Sequence, residues 1–597
     1  MRIPIASIVL LVLVLCLTSC SSKNAVRRIS VKEYQSNRQV SKHVRRISVK
    51  EYQSKMKAGW LGQMAGVGWG ASTEFRFNAR IIPEDKVPAW DLGMINQPNQ
   101  DDLYVEMTFL KTLEDYGFEV SIRQAGIDFA NSLNGMAGAN RFGRDNLRSG
   151  IAPPYSGHPE YLAYADDIDY QIEADFTGLI APGMPQTVIE LGDKFGHLMS
   201  YGDGVYGGQF IGGMYAEAYF ETDMEKIIQA GLACIPAGSQ YAEAVRDVVK
   251  WHKENPDDWQ KSWQLIEDKY NRNPDYRRFS SSGPDWDFNI DAKLNGAYVV
   301  MGLLYGDRDM DKTIIISMRC GMDSDCNPSN AGGILATSLG LGNLPEQFKT
   351  NIDYTTYFSH TAYNLTSLLK VCNVLSKDAV VRAGGRMEVT SEGLEEYVIP
   401  VQIPVVAPLE QCWEPKEIKG DVYFTPEEMA KIKIKERRLE DYVTHWQVTR
   451  PFTKKGVKGL DLFDVKFGPE ENSEYADWKE MPMARHNYDA KAMNLGEFFK
   501  KGQCVAYLRT SIWNEKQRKV RFELGSSDGM KVWLNDHLVH QKNGPRNHKQ
   551  GGDVVEVGLV EGWNRILMKM NHGENDWRAS LVITDLDKNP LHGLIYK

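Results

Sequence analysis

The residue pattern of this chain changes once, near residue 380, and that change constrains the fold more than any other feature. Between Lys55 and about Lys377, apolar residues recur at helical spacing, as at Met107, Leu110 and Leu113. After Trp446, short apolar–polar alternations stand between Gly, Asn and Asp turns. A chain of 597 residues also exceeds one ordinary domain. The sequence therefore predicts a multidomain protein, with an all-α domain followed by an antiparallel β-sandwich.

Five segments follow from these patterns. We expect a signal peptide over 1–19, a tether over 20–54, the helical domain over 55–380, a Pro-rich β linker with a short helix over 381–445, and the sandwich over 446–597. The tether holds VRRISVKEYQS twice, at Val26–Ser36 and Val44–Ser54, which is too few copies for a solenoid and indicates a tandem duplication. The linker helix should begin after Thr425, an N-cap followed by Pro426 and acids, and run towards Val443.

The N-terminus predicts export. One early Arg precedes the apolar run IPIASIVLLVLVLCL, which is short for a membrane span and typical of a secretory signal. The run ends in LTSC, which resembles a bacterial lipobox, so cleavage before Cys20 and lipidation of its thiol are expected; an ordinary signal peptide with an incidental Cys is the alternative. The protein is then expected in the bacterial cell envelope, at the outer membrane or periplasmic face, held to the membrane by lipid alone.

Charge and cysteine usage exclude some classes of function. The net charge of −9 argues against nucleic acid as a partner. Aromatic residues reach 10%, with 14 Trp and 27 Tyr, which mildly favours a carbohydrate partner. Six of the eight Cys lie outside the signal region, without a CxxC pair, so they predict buried thiols rather than a disulfide framework.

The segment MDSDCNPSN, residues 322–330, is the first candidate for chemistry. Asp323 and Asp325 stand two residues apart before a small-residue helix, for which Asn327 and Pro328 look like the N-cap and first residue. In an extended segment both carboxylates point the same way and would repel each other without a cation or a proton. Simple helix capping is the alternative. A calcium EF-hand is excluded, since Pro328 stands where that loop needs Gly and Ile334 where it needs Glu.

A second acidic pair supports the metal interpretation. Asp101 and Asp102 open the predicted helix that contains Met107, and adjacent helical residues diverge by about 100°, so the pair can contact two ions or one ion and its water. The Gly-rich segment LGQMAGVGWGASTEF, which ends just after Glu74, allows close backbone approach.

Together these segments resemble the ADP-ribosylglycohydrolase superfamily over about residues 55–345. Its early Gly-rich helix corresponds to Gly62–Glu74, its middle acidic motif to Gln100–Asp102, its late acidic motif to Asp323–Cys326, and its tyrosine–glycine segment to Tyr201–Phe220. The resemblance implies an all-α domain that binds a pair of Mg²⁺ ions and cleaves a glycosidic bond of ribose. It implies as metal ligands Gln100, Asp101, Asp102, Asp323, Asp325 and Cys326. It implies as catalytic residues Glu74, Asp101 and Asp323.

Three positions depart from the family pattern. Val67 replaces an acid, and Gln100 and Cys326 replace threonine ligands. A thiol does not suit Mg²⁺. One or two divalent ions are therefore expected, Mg²⁺ first, with Ca²⁺ or Mn²⁺ as alternatives.

The C-terminal segment points to a carbohydrate substrate. The sequence SSDGMKVWLNDHLVH, followed by VGLVEGWNRILMKM, resembles galactose-binding-like jelly-roll modules of glycoside hydrolases. Within it, Ser527–Gly529 and Asn535–Asp536 look like hairpin turns. We therefore expect metal-assisted hydrolysis of a glycoside or glycan; an ADP-ribosyl-protein hydrolase and a non-catalytic glycan-binding lipoprotein are the alternatives. Candidate substrate contacts are Trp69, Asn146, His158, Asp169, Asp203, Tyr206 and Asp285. His548 and Trp577 are weaker candidates in the sandwich.

Overall fold

The computed structural model describes residues 43–283, 285–438, 441–471, 475–481, 491–499, 502–573, 577–591 and 594–596. The predicted signal segment, Cys20 and the first copy of the repeat lie outside the described residues. Within the described ranges, no helix combines the length and the apolar character that a membrane crossing requires.

The N-terminal part is helical, as the periodicity predicts. Its helices are α1 Val49–Gly70, α2 Asp101–Tyr116, α3 Ile122–Asn131, α4 Gly138–Arg148, α5 Asp169–Ile172, α6 Asp175–Leu179, α7 Pro185–Phe195, α8 Asp203–Ala218, α9 Met224–Leu232, α10 Gln240–Glu254, α11 Trp259–Ile266, α12 Ala292–Tyr305, α13 Met310–Arg319, α14 Cys326–Leu339 and α15 Leu365–Arg382. Gly117 ends α2 in a left-handed conformation, the C-cap that the sequence predicts.

The centre of this domain consists of helices that are buried on almost every face. All residues of α12 are buried, and α8 and α14 expose almost none. A helix without an exposed face must be enclosed by others. The surrounding helices are amphipathic; α10, for example, buries Tyr241, Val245 and Val248 and leaves its other face exposed. The acidic motifs at the ends of α2 and α14 are therefore carried into the interior.

The second copy of the repeat is folded. It forms strand β1, Val44–Ser48, and the first turns of α1, with Ile47 and Tyr52 in the core. Strands β2, Arg386–Val389, and β3, Glu395–Pro400, complete an antiparallel sheet in the order β1-β3-β2. Folded structure therefore begins before the predicted boundary at residue 55, because the repeat has apolar residues at positions that face the helices.

Residues 401–438, here called the strap, lie across the helical domain. The backbone N–H of Val405 donates to Gln186, that of Glu410 to the Tyr206 hydroxyl, and that of Phe424 to the carbonyl of Gly150. The strap contains helix α16, Pro426–Met429, which Thr425 caps as predicted.

The linker helix is shorter than predicted. Helix α16 stops after one turn, although the sequence predicts a helix that runs towards Val443. Further along, backbone N–H groups donate to neighbouring helices instead: Lys433 to the Asn131 side chain and Glu436 to the carbonyl of Arg148. Tertiary hydrogen bonds thus replace helical ones here.

The C-terminal part is an antiparallel sandwich. One sheet has the order β10-β9-β12-β7-β4-β5, with β14 also pairing β7, and the other has the order β11-β8-β13-β6. The strands are β4 Gln447–Val448, β5 Lys479–Glu480, β6 Met493–Asn494, β7 Val505–Asn514, β8 Arg518–Ser526, β9 Met530–Leu534, β10 His537–Lys542, β11 Asp553–Leu559, β12 Gly562–Asn571, β13 Arg578–Thr584 and β14 Ile595–Tyr596. Their inner faces share one apolar core.

One of the two predicted hairpin turns is confirmed and the other is wrong. Asn535 and Asp536 have φ angles of 49° and 68° and join the paired strands β9 and β10. Residues 527–529 instead carry the chain from β8 in one sheet to β9 in the other. Both segments consist of residues that favour turns, so the local sequence did not distinguish a hairpin from a connection between the two sheets.

Candidate metal centre

A row of glycines on α1 positions the late acidic motif. An added Cβ at Gly62 would lie 2.6 Å from the Cβ of Ala336, and one at Gly66 2.5 Å from the backbone nitrogen of Ser329. One at Gly70, the last residue of α1, would lie 2.9 Å from the Cβ of Asp325. No side chain fits in this interface, so α1 and α14 pack with their backbones close together. The end of α1 thereby fixes the start of α14, where the motif lies.

The loop before α14 is held by the segment that follows α1. The N–H of Phe75 donates to the carbonyl of Met322 at 3.1 Å, and the N–H of Met322 donates to the carbonyl of Phe77 at 3.3 Å. Met322 takes a left-handed conformation, with φ of 55°. The hydroxyls of Thr73 and Ser324 lie 2.8 Å apart. Ser324 is thus tied to the α1 side, which fixes the positions of the two aspartates that flank it.

Helix α14 begins earlier than predicted. Its first residue is Cys326 and its N-cap is Asp325, so Asn327 and Pro328 lie inside the first turn. The side chain of Asn327 donates to Asn295 of α12 at 2.9 Å and does not cap the helix. The Asp325 side chain makes no capping hydrogen bond either. The structure therefore contradicts the alternative that the Asp325 carboxylate caps the helix.

Four side chains of the two acidic motifs meet in the interior. One ligand atom from each of Asp323, Asp325 and Cys326 lies within 4.8 Å of the other two. The Cys326 thiol donates to Oδ2 of Asp102 at 3.1 Å. Asp102 is fully buried, and the other three are at most 4% exposed. The structure thus joins residues that are more than two hundred positions apart in sequence.

Several carboxylate oxygens of this cluster have no hydrogen-bond partner among the described residues. These are Oδ1 of Asp102, Oδ1 of Asp323 and Oδ1 of Asp325. Burial and the neighbouring carboxylates raise the pKa of Asp102 and of Asp323 well above the ordinary value, and burial above all raises the pKa of Asp325 to about 6. Close, buried oxygens that lack donors are the set that a divalent cation requires. The residues present therefore fit a metal ion.

Asp101 and Glu74 lie at the edge of the cluster. Burial raises the pKa of Asp101. Partial burial, followed by the charges of Asp325 and Asp101, raises the pKa of Glu74 to about 7. Glu74 itself is exposed to solvent. It is thus a carboxyl group beside the cluster that solvent can reach. Gln100 is the N-cap of α2, and its amide donates to Gln97 at 2.8 Å.

A second layer of carboxylates lies behind the cluster and was missed by sequence reasoning. Glu106 follows Asp102 by one turn of α2 and accepts from Gln63 at 2.8 Å and from the N–H of Phe176 at 2.9 Å. Asp175 accepts from Asn330 of α14 at 2.8 Å. Burial raises the pKa of Asp175 to about 7. The i, i+4 spacing of Asp102 and Glu106 was the available signal, since such residues share one helix face.

Asp169, a predicted substrate contact, lies beside these layers. Its side chain accepts from the N–H of Asn140 at 2.9 Å, while Oδ2 has no partner within the part of the chain that the structure describes. Burial raises its pKa to about 6, and the charge of Asp101 adds to the shift. Glu173, hydrogen-bonded by the Asn140 side chain, is a further buried acid here.

A separate buried cluster carries its own cation. One oxygen from each of Asp166, Asp167 and Asp291 lies within 4.8 Å of the other two. The Lys293 ammonium is 3.0 Å from Asp291 and 3.6 Å from Asp166. Asp203, a predicted substrate contact, is near enough for Lys293 to lower a pKa that burial raises to about 6. Because a lysine already supplies positive charge, this cluster fits a metal less well than the first.

Four other predicted substrate contacts have structural partners. Trp69 packs on Trp90 in the core and donates to the Pro88 carbonyl. Asn146 donates to the carbonyls of Ser156 and Tyr161. His158 and Tyr206 bind the strap, since the His158 ring contacts the Lys416 carbonyl at 3.1 Å and the Tyr206 hydroxyl accepts from Glu410 at 2.7 Å. Each of the four has a polar group used by the fold. Asp285 is exposed on a loop.

The two weaker candidates in the sandwich also have partners within the fold. Trp577 is 1% exposed and stacks on His572. His548 lies 2.9 Å from the hydroxyl of Ser580. The outer surface carries a different aromatic pair, Trp513 and Trp563, which are 39% and 41% exposed on the paired strands β7 and β12. Their ring centroids are 5.5 Å apart.

Comparison with known proteins gives one strong match. A family model described as ADP-ribosylglycohydrolase matches residues 48–376, more than half of the chain. A solved structure described as an "ADP-ribosylglycohydrolase-related protein complex" is 13% identical, with a TM-score of 0.35, over 55% of this chain and 99% of its own. A glycosyl hydrolase family 2 member from Bacteroides cellulosilyticus DSM 14838 is 13% identical, with a TM-score of 0.16, over 24% of this chain and 20% of its own. No curated protein matches significantly.

Proposed function

The chain belongs to the ADP-ribosylglycohydrolase family through its helical domain, and from this premise we propose that it hydrolyses a glycosidic bond in a glycan or glycoside. Membership of this family indicates that the helical domain is that of a hydrolase of the superfamily. The single observation that carries the proposal is the buried cluster of Asp102, Asp323, Asp325 and Cys326, with its carboxylate oxygens left without donors. A merely structural cluster of this kind would be costly to keep, because buried acceptors without partners destabilise a fold by about 1–3 kcal/mol each.

These side chains would hold a divalent cation, together with Asp101 at the edge and Gln100 as a further predicted ligand. When bound, such an ion neutralises the carboxylates and polarises substrate oxygens. The layer behind it keeps the ligands in place: Glu106 and Asp175 are fixed by hydrogen bonds from three different elements. The cluster is thus held rigidly from one side, as a catalytic constellation requires.

Glu74 is suited to move a proton. Its pKa of about 7 leaves it partly ionised at neutral pH, so the same carboxyl group can accept a proton from water or return one. It is exposed to solvent, which gives water and substrate access. Burial and the neighbouring acids Asp325 and Asp101 set this value, in the way that glycosidases raise the pKa of one of two carboxyl groups.

A glycan substrate is supported by the second domain. Trp513 and Trp563 are partly exposed and lie edge to face on one sheet, with an angle of 74° between their rings. Sugar rings pack on exposed indole surfaces of this kind. The predicted export signal agrees with an extracellular carbohydrate. ADP-ribosyl-protein hydrolysis is the second candidate function, favoured by the family match itself.

The two candidates are separated by a direct assay. The purified chain is incubated with a panel of glycosides and glycans and, separately, with ADP-ribosylated protein, and released sugar is measured by chromatography. We expect release from a glycoside or glycan, abolished in the Asp323→Ala/Asp325→Ala double variant. A matched control is Asp85→Ala/Asp307→Ala, which removes two exposed acids. Activity that survives in the first double variant would refute the role of the cluster.

The cellular location is a further part of the proposal. We propose that the protein is a lipoprotein of the bacterial cell envelope, anchored through Cys20. Incorporation of labelled palmitate and recovery in the membrane fraction are expected for the full chain and not for Cys20→Ala. Soluble, unlabelled full-length protein would contradict the anchor without affecting the hydrolase proposal.

A further inference from the structure

We propose that the metal site is built for a divalent ion that accepts sulfur, Zn²⁺ in the first place, with the Cys326 thiolate as one of its ligands. The inference rests on the proposed function, since it takes the acidic cluster as a metal site. It adds the identity of the ion, which the family does not decide for a chain that has cysteine at this position.

The position of the sulfur supports direct coordination. Sγ of Cys326 is 3.1 Å from Oδ2 of Asp102 and within 4.8 Å of a carboxylate oxygen of Asp323 and of Asp325. Zinc bonds of about 2.0–2.3 Å to oxygen and sulfur place ligand atoms no more than about 4.5 Å apart. Cys326, Asp323 and Asp325 therefore need only small movements to surround one ion, with Asp102 next to the sulfur.

The surroundings of this thiol differ from those of other buried cysteines in the chain. The thiols of Cys320 and Cys412 donate to backbone carbonyls, Ile316 and Tyr201, as structural cysteines do. Cys326 instead donates to a carboxylate whose second oxygen has no donor among the residues described. The Cys326 thiol thus faces a group of carboxylate oxygens that lack donors, which is the position expected of a metal ligand.

The same arrangement gives no advantage to Mg²⁺ or Ca²⁺. Both ions select oxygen ligands, and Mg²⁺ also keeps several waters in a strict octahedral shell. Thiolate ligands favour Zn²⁺ over Mg²⁺ and Ca²⁺, which prefer oxygen. On its other side Cys326 packs against Ile168, Ile172 and Ile290. These apolar side chains exclude water from one side of the sulfur, so that its other side faces the carboxylates.

Cobalt substitution tests the inference without any activity measurement. Metal-stripped protein is titrated with Co²⁺, which takes zinc sites and shows thiolate coordination as a charge-transfer band in the near ultraviolet. We expect a saturable band in the unmodified chain, removed by Zn²⁺ and absent from Cys326→Ser. Calorimetry should show at least about a tenfold loss of Zn²⁺ affinity in Cys326→Ser and a much smaller change for Mg²⁺. Cys412→Ser, a buried thiol with a backbone partner, is the matched control and should keep the band.

The outcomes are distinct. Co²⁺ that binds without the band, or Zn²⁺ affinity that is unchanged in Cys326→Ser, overturns the thiolate ligand and leaves an oxygen-only cation site and the proposed function intact. Failure of Co²⁺, Zn²⁺ and Mg²⁺ to bind at all overturns both. Melting curves are recorded for each variant, and Cys326→Ala replaces Cys326→Ser if the serine variant does not fold.

Discussion

Replacing Gly66 by alanine should damage the metal centre from a distance. The added methyl group would lie 2.5 Å from the backbone nitrogen of Ser329 and closer still to the carbonyl of Pro328. Ordinary van der Waals contact begins at 3.4 Å. The obstructing atoms are backbone, which has no rotamer to change, so α1 and α14 must separate by about 1 Å.

The expected free-energy change combines two opposing effects. Overpacking of this kind costs about 1–3 kcal/mol, and we take the upper end because two consecutive peptide groups obstruct the methyl group. The higher helix propensity of alanine returns about 1 kcal/mol. The free energy of unfolding should therefore fall by about 2 kcal/mol. The same displacement reaches Asp325, which lies against Gly70 one turn further along α1. A ligand misplaced by about 1 Å should lower turnover by about a hundredfold.

Urea unfolding gives the first quantity, and turnover with metal-binding calorimetry gives the second. Gly342→Ala is the matched control, since no described atom lies within 4 Å of its added Cβ, and it should behave as the unmodified chain. A Gly66→Ala chain that keeps its stability and its metal affinity would refute the argument that the glycine row positions the acidic motif.

Three further predictions concern charge and surface. Asp175→Asn should stabilise the protein at pH 8 by about 4 kcal/mol and hardly at pH 4, because burial raises the pKa of Asp175 from 3.8 to about 7. The stability that the protonated carboxyl group provides below the lower pKa is lost as the pH rises through the upper one. An effect of the substitution on the unfolding free energy that is equal at both pH values would contradict this. Burial opposes protonation of His197, yet Glu410, 3.1 Å away, raises its pKa to about 9. The protein should therefore gain about 3 kcal/mol from this pair below pH 6.5 and lose it as the pH rises through about 9. Glu410→Gln should remove that pH dependence in urea unfolding. A Glu410→Gln chain that keeps the full pH dependence would exclude the pair as its source. Trp513→Ala/Trp563→Ala should weaken retention on immobilised glycans without changing the melting temperature by more than a few degrees; unchanged retention would exclude this surface.

Part of the candidate site could be predicted from the sequence because it depends on residues that are neighbours in the chain. Asp323, Asp325, Asp101 and Asp102 stand at helix starts, and the resemblance to a known family joined these distant motifs. The glycines of α1 were also visible, although not their partners. Periodicity likewise separated the helical domain from the sandwich, since a period of 3.6 or 2 is written in neighbouring residues.

Other members of the site required the tertiary structure. Glu106 and Asp175 look in sequence like ordinary acids, and only their burial against α14 and one another shows that they support the cluster. His158 and Tyr206 were predicted to bind substrate, but the strap, some two hundred residues later in the chain, takes their polar atoms. A polar side chain has the same local pattern whether its partner is a ligand or a remote backbone group.

The sequence by itself thus determined the two-domain fold class and the acidic motifs, because helix starts, glycine spacing and strand alternation are local properties. The tertiary structure alone decided which acids are desolvated together, where folded structure begins in the repeated segment, and which thiol points at carboxylates. Those features depend on the burial of atoms that are distant along the chain, and burial sets both the pKa of Glu74 and the donor set around Cys326.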